Sequence, residues 1–161
     1  MTVGDKSTFA VEYFFDEQYP KTMGYGKIWV NNKFIGTEHD LIYLNGYLLG
    51  TLGSINEAKE LSSEFIEFSR DKLFNTLENP EQTYNSRHRV TNYTFTDDFS
   101  IWAYKIDNEI VLLWKILRND SFEDLTDYPD TVMQERIDSK IFDSVLHQLK
   151  SEFEEHGVLT K

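Results

Sequence analysis

Residues 99–117 read FSIWAYKI-DN-EIVLLWKIL, and they decide the fold class. Two runs rich in Ile, Val, Trp and Tyr flank Asp107-Asn108, residue types that favour strands on either side of a pair that tolerates a tight turn. The stretch is read as a hairpin of Phe99–Ile106 with Glu109–Leu117. Upstream, Asp97-Asp98 is expected to turn, after a strand over Arg89–Phe95. Downstream, Arg118–Thr131 is a polar loop and Val132–Ile137 a last strand. Asp138 is then placed to cap a helix carrying Ile141, Val145, Leu149 and Phe153 on one face.

The first half repeats the theme. Phe9, Val11, Tyr13 and Phe15 alternate, which predicts a strand with one buried face. Asp16–Gly26 is read as a loop broken by Pro20, Gly24 and Gly26. Lys27–Val30 and Phe34-Ile35 flank Asn31-Asn32-Lys33, a second hairpin, because Asn tolerates the positive φ of tight turns. Leu41, Leu44, Leu48, Leu52 and Ile55 recur at helical spacing, with Thr37 as candidate cap and Asp40 in the first turn. A hairpin about Asn45-Gly46 competes with that helix. Asn56–Phe68 is read as a helix of mixed pattern, and Asp71–Leu77 as a short helix ending before Pro80. Together these elements predict one α+β domain over residues 1–161: a mainly antiparallel sheet of hairpins with helices packed on one face. Trp29, Trp102 and Trp114 all lie in apolar strand patterns and are expected inside.

Composition narrows the partners. Among 161 residues, 28 Asp and Glu oppose 16 Lys and Arg, a net charge of −12. That balance argues against DNA, RNA or an anionic membrane, all of which need clustered cations. The absence of cysteine excludes disulfides, thiolate metal sites and a cysteine nucleophile, and fits a reducing compartment. Residues 1–8 lack the pattern of a signal peptide, and no window reaches about 20 apolar residues.

A search for catalytic chemistry finds little. Ser69-Arg70-Asp71-Lys72 matches S-x-x-K without the motifs that accompany it in serine acyl-enzymes. No glycine-rich phosphate loop follows Gly24 or Gly26. His39, His88, His147 and His156 form none of the paired spacings common in metal sites, and each reads first as a solvated surface residue. Glu38-His39-Asp40 sets an imidazole between two carboxylates, and Arg87-His88-Arg89 is a small basic cluster. The first suits an acidic helix start; the second could serve an RNase-like reaction only against the chain's own charge. No cofactor and no metal are predicted.

The carboxylates are more informative as surface. Glu57, Glu60, Glu64 and Glu67 fall three and four apart, one negative stripe if that segment is helical. Asp120, Glu123, Asp124, Asp127 and Asp130 share one loop with no Lys or Arg among them, interleaved with Phe122, Leu125 and Tyr128. Such a loop fits a basic protein partner, with Phe122 and Tyr128 as anchors; the competing reading is a solvated loop whose aromatics tuck into the core.

The run Gly26–Val30, then Phe34-Ile35-Gly36, Asp40-Leu41 and Tyr43-Leu44, resembles the opening of bacterial immunity proteins. These guard cells against toxin domains of polymorphic and contact-dependent growth inhibition systems. The likeness covers roughly Phe9–Leu52 and continues in element order. It implies a cytoplasmic, non-enzymatic protein that binds and neutralises one cognate toxin domain, with no nucleic acid or membrane as partner. Many such toxins are nucleases with cationic clefts, which an acidic inhibitor suits. The expected contacts are the Asp120, Phe122, Glu123, Asp124, Asp127 and Tyr128 loop and the Glu57–Glu67 stripe. The rivals are a small cytoplasmic enzyme using His88 or His39, and an intracellular regulator or scaffold.

Overall fold

Each of the two hairpins seeds its own sheet in the computed structural model, which describes residues 1–159 apart from the side chains of Thr83 and Tyr84. The first sheet joins β1 (Thr2–Asp5), β2 (Phe9–Phe15), β3 (Met23–Val30) and β4 (Lys33–Ile35) in that order, and β5 (Ile42–Tyr43) also pairs with β3. The second joins β6 (Lys59–Glu60), β7 (Phe99–Ile106), β8 (Glu109–Ile116) and β9 (Met133–Asp138). Every pairing is antiparallel except the short β6–β7 edge. The helices are α1 (Leu49–Asn56), α2 (Arg70–Glu78) and α3 (Ser139–Glu155). The class is the expected α+β, divided over two sheets.

Turn chemistry sets both hairpins. Asn31 and Asn32 have φ of 48° and 64°, the positive pair required by a two-residue turn matching strand twist, and Val30 pairs with Lys33 across it. Asp107 turns the other hairpin with φ of 52°. The loop before β3 is shorter than expected, because Met23–Gly26 already belongs to the strand. Gly24 fits there because its backbone lies flush against β2: a Cβ would fall 2.0 Å from the Phe14 carbonyl oxygen.

One apolar cluster joins the two inner sheet faces and two helices. Phe9, Val11, Tyr13, Ile28 and Val30 contribute from the first sheet; Ile101, Ile110, Leu112 and Trp114 from the second; Leu52 and Ile55 from α1; Phe142, Val145, Leu149 and Phe153 from α3. A second cluster covers the far side of the second sheet, where Leu73, Phe74 and Leu77 of α2, with Leu61 and Phe65, pack on Trp102, Tyr104, Val111 and Leu113. The outer face of the first sheet carries no such cover.

Several expectations change. In 37–55 the helical stripe prevails over a hairpin at Asn45-Gly46, but the helix starts at Leu44 as a π-helical turn, Leu44–Leu48, leading into α1. Thr37 caps no helix. Residues 57–68 form no helix either: β6 and one 3₁₀ turn, Ser63–Phe65, replace it, because Leu61 and Phe65 must reach the second sheet. Arg89–Phe95 makes a single bridge, Arg89 to Trp102, and a 3₁₀ turn over Thr94–Thr96 rather than a strand. In α3 the buried stripe runs through Phe142, while Ile141 is exposed. Trp102 and Trp114 are buried as expected; Trp29 is half-buried, on the outer face, with its indole N–H donating to Glu12 at 2.9 Å.

The two glycines Gly24 and Gly53 give opposite expectations. Around Gly53, inside α1, no atom lies within 4 Å of an added Cβ, so Gly53→Ala should stabilise by about 0.5–1 kcal/mol through helix propensity. Gly24→Ala should destabilise by about 3 kcal/mol through forced strand separation. Urea denaturation of both variants measures this.

Candidate functional site

The predicted acidic loop lies beside the open face of the first sheet, and its residues divide into two kinds. Asp120, Glu123 and Asp127 are exposed. Asp124 is drawn inward, to a lysine that sequence reasoning overlooked. Lys27 sits in the middle of β3, only 6% exposed. Its ammonium lies 2.8 Å from Asp124 Oδ2, 3.4 Å from Glu38 Oε2 and 4.4 Å from the centre of the Phe34 ring. Asp124 also accepts from the Thr37 hydroxyl at 2.8 Å and the Glu38 backbone N–H at 3.2 Å. Burial by itself would raise the Asp124 carboxyl. The hydrogen bonds from Lys27, Thr37 and Glu38 outweigh it and hold the carboxyl below its ordinary value. The signal was present in the sequence: a lone Lys in an apolar strand must find a carboxylate if its head is enclosed.

Glu38, His39 and Asp124 each offer a ligand atom within 4.8 Å of the others, an arrangement that could hold a cation. The Lys27 ammonium already occupies that role between the two carboxylates, so the cluster is complete as an ion-pair network.

Tyr128 is buried, not displayed. Its hydroxyl accepts from Trp114 Nε1 at 2.8 Å and donates to the Phe34 carbonyl, and its ring packs edge-on against Phe34 and Phe99. Burial pushes its phenol up to about 12, against the hydrogen bond from Trp114. The loop aromatics thus follow the tucked-in alternative: Phe122 is also partly buried against the core. What this tucking leaves at the surface is an open groove of about 350 Å³. Phe34, Tyr128, Pro129 and Met133 line it, with Lys33, Asp124 and Asp127 along its sides. Lys33 is paired with Glu135 of β9, which also accepts from Asn31 at 2.7 Å. Asp130 pairs with Lys115 at 3.3 Å.

The other predicted residues lie apart from this groove. Glu57, Glu60, Glu64 and Glu67 do not form a helical stripe, because no helix spans them; all four are exposed, Glu57 at the end of α1, Glu60 in β6 and Glu64 in the Ser63–Phe65 turn. His88 is buried at 1% exposure rather than solvated. Burial and the neighbouring Arg87 charge hold its imidazole below the usual value, opposed by a hydrogen bond with the Ala103 backbone. His39 is exposed beside Glu38. Ser69 is an N-cap: its Oγ accepts from the Lys72 backbone N–H at 3.3 Å, which accounts for the S-x-x-K match.

Breaking the Lys27 network should be costly and pH-dependent. Asp124→Ala should lose about 3 kcal/mol, since it leaves an enclosed ammonium with only Glu38 nearby. Lys27→Met with Asp124→Asn should lose less than the two single changes summed. Because the folded-state value of Asp124 lies below its unfolded value, its contribution is complete at neutral pH. It is lost as the pH falls from the ordinary carboxylate range through that lowered value. Denaturant unfolding of wild type and Asp124→Asn from neutral to acid pH should show the steeper acid loss in wild type.

Comparison with known proteins places this architecture. The sequence profile of the family described as "Immunity protein 42" matches residues 1–152. The crystal structure of CdiI from Burkholderia dolosa AUO158 is similar in fold, with a TM-score of 0.63 at 14% identity, covering 94% of this chain and 99% of that one. No curated protein matches the chain. The match across nearly all of the sequence shows that the chain belongs to the Immunity protein 42 family, and its function is toxin neutralisation.

Proposed function

We propose that the whole chain acts as one non-enzymatic binding unit in the cytoplasm, and that it neutralises a cognate toxin domain whose contact surface is basic. The observation that carries this reading is the groove between β4 and the 120–130 loop. It offers an apolar floor of Phe34, Tyr128, Pro129 and Met133 beside exposed Asp127, while its own lysine, Lys33, is already paired with Glu135. A buried apolar patch with a charged rim is the usual anatomy of a specific interface.

The exposed rim acids Asp120, Glu123 and Asp127 act on association by steering a cationic surface, as a nuclease cleft would present. Asp124 and Tyr128 support that surface from beneath. The net charge of −12 works against nucleic acid and anionic membranes as partners. No helix among the described residues is long and apolar enough to cross a membrane. The histidine alternative loses its premise at His88, whose imidazole is enclosed, and His39 stands beside carboxylates that Lys27 already engages.

Stopped-flow association with the purified cognate toxin domain tests the reading. Asp120→Asn, Glu123→Gln and Asp127→Asn together should slow association several-fold at low salt and flatten its salt dependence, with an unchanged melting temperature. His39→Ala should retain full protection of toxin-expressing cells. An on-rate and salt slope equal to wild type in the triple variant would remove the loop from the interface; loss of protection by folded His39→Ala would restore the enzymatic alternative.

A further inference from the structure

The two sheets present four faces, and three are covered. The inner faces share the main core, and α2 with residues 61–65 covers the outer face of the second sheet. The outer face of the first sheet is covered only at its Lys27 end, by Glu38 and the acidic loop; the end bearing Phe14 and Tyr43 is uncovered and apolar. Strand alternation places Phe14 of β2, Met23, Tyr25 and Trp29 of β3, and Tyr43 of β5 on this outer face. Phe14 pairs across strands with Tyr25, and Met23 with Tyr43, so these four side chains form one contiguous patch. Phe14 is 43% exposed and Tyr43 52%. Tyr19, in the loop between β2 and β3, is 54% exposed. The other large exposed hydrophobics, such as Ile66, Leu117 and Ile141, lie on different elements. Scattered apolar residues are ordinary on a protein surface, whereas a contiguous aromatic patch marks a docking surface.

The charges around the patch state the partner's sign. Lys6 is paired with Glu12 at 2.7 Å and Lys27 with Asp124 at 2.8 Å, so both cations are already engaged. Half-buried Asp16 receives the Tyr25 hydroxyl at 3.0 Å and the Gln18 N–H at 2.8 Å, while Glu17 is fully exposed beside it. The loop between β2 and β3 carries Asp16 and Glu17 with one cation, Lys21, and Glu38 is a second, partly exposed carboxylate on Lys27. The Lys27–Asp124 pair joins this face to the acidic loop, so the patch and the groove lie on one side of the molecule.

We propose that the outer face of the first sheet, centred on Phe14, Tyr25 and Tyr43, is a second part of the toxin interface and receives an apolar segment flanked by basic residues. This rests on the reading above, that the partner is a toxin domain with a basic surface. The groove and its acids govern the encounter; the aromatic patch governs how long the complex lasts.

The test separates the two parts. Phe14→Ala with Tyr43→Ala should raise the off-rate from the purified toxin domain about tenfold or more, leave the on-rate near wild type and keep the far-ultraviolet circular dichroism spectrum. Phe14→Lys and Phe14→Glu provide a control that does not depend on perfect folding. A basic partner makes the lysine variant the weaker binder, while a purely structural disturbance affects both alike. Binding by the Phe14→Ala/Tyr43→Ala variant equal to wild type, alongside a slowed rim triple variant, overturns this inference and leaves the proposed function standing. Wild-type behaviour of aromatic and rim variants alike overturns both. A wild-type dimer in sedimentation that Tyr43→Ala converts to monomer, with toxin binding unchanged, assigns the face to a second copy of this chain and also overturns the inference.

Discussion

Lys27 is a charged side chain in the middle of a central strand, and almost all of it is shut away from water. Such a position is tolerable only with a carboxylate brought to it and that carboxylate's remaining oxygen satisfied. Asp124 meets both demands, through Lys27 on one oxygen and Thr37 on the other. These contacts bridge almost a hundred residues of sequence. They hold the acidic loop against the β4 edge, where the Tyr128 hydroxyl links it to Phe34 and Trp114. The pair and the Tyr128 hydrogen bonds together fix the loop and the shape of the groove beside it.

A fixed loop matters to a protein whose work is binding. Ordering a flexible segment at the moment of association subtracts from affinity, and a segment already held by a buried ion pair has little left to lose. The same economy extends to charge. Lysines that would oppose a basic partner are paired within the molecule, Lys27 by Asp124 in an enclosed site and Lys6 and Lys33 by Glu12 and Glu135 nearer the surface. The outward field on this side is therefore set by carboxylates, although lysines are interspersed among them in the sequence. Net charge describes the whole chain; which charges reach a partner is decided by who pairs with whom.

Much of the fold was legible because it is local. Both hairpins could be read, since Asn31-Asn32 and Asp107-Asn108 carry turn chemistry between strand-forming runs, and register follows from the turn. The cap at Asp138 and the apolar spacing of α3 are equally local. Where the reading failed, a distant partner prevailed over local pattern. Residues 57–68 have acids at helical spacing, but Leu61 and Phe65 are needed over Trp102 and Tyr104, and the chain runs irregularly to deliver them. Arg89–Phe95 has strand-like content, yet it meets β7 at a single bridge.

The candidate site shows the same division. Sequence by itself determined that one loop concentrates acids and aromatics, that the chain is strongly acidic, and that thiol chemistry is absent. It also carried the likeness to immunity proteins in the strands around Trp29 and Ile35. Only the tertiary structure decided that Asp124 and Tyr128 face inward while Asp120, Glu123 and Asp127 face out, and that part of one sheet face stays uncovered with Phe14 and Tyr43 on it. The reason is physical. Whether a carboxylate is a rim charge or an internal counter-ion depends on an ammonium contributed from nearly a hundred residues away, and whether an aromatic is core or surface depends on which layer covers its sheet.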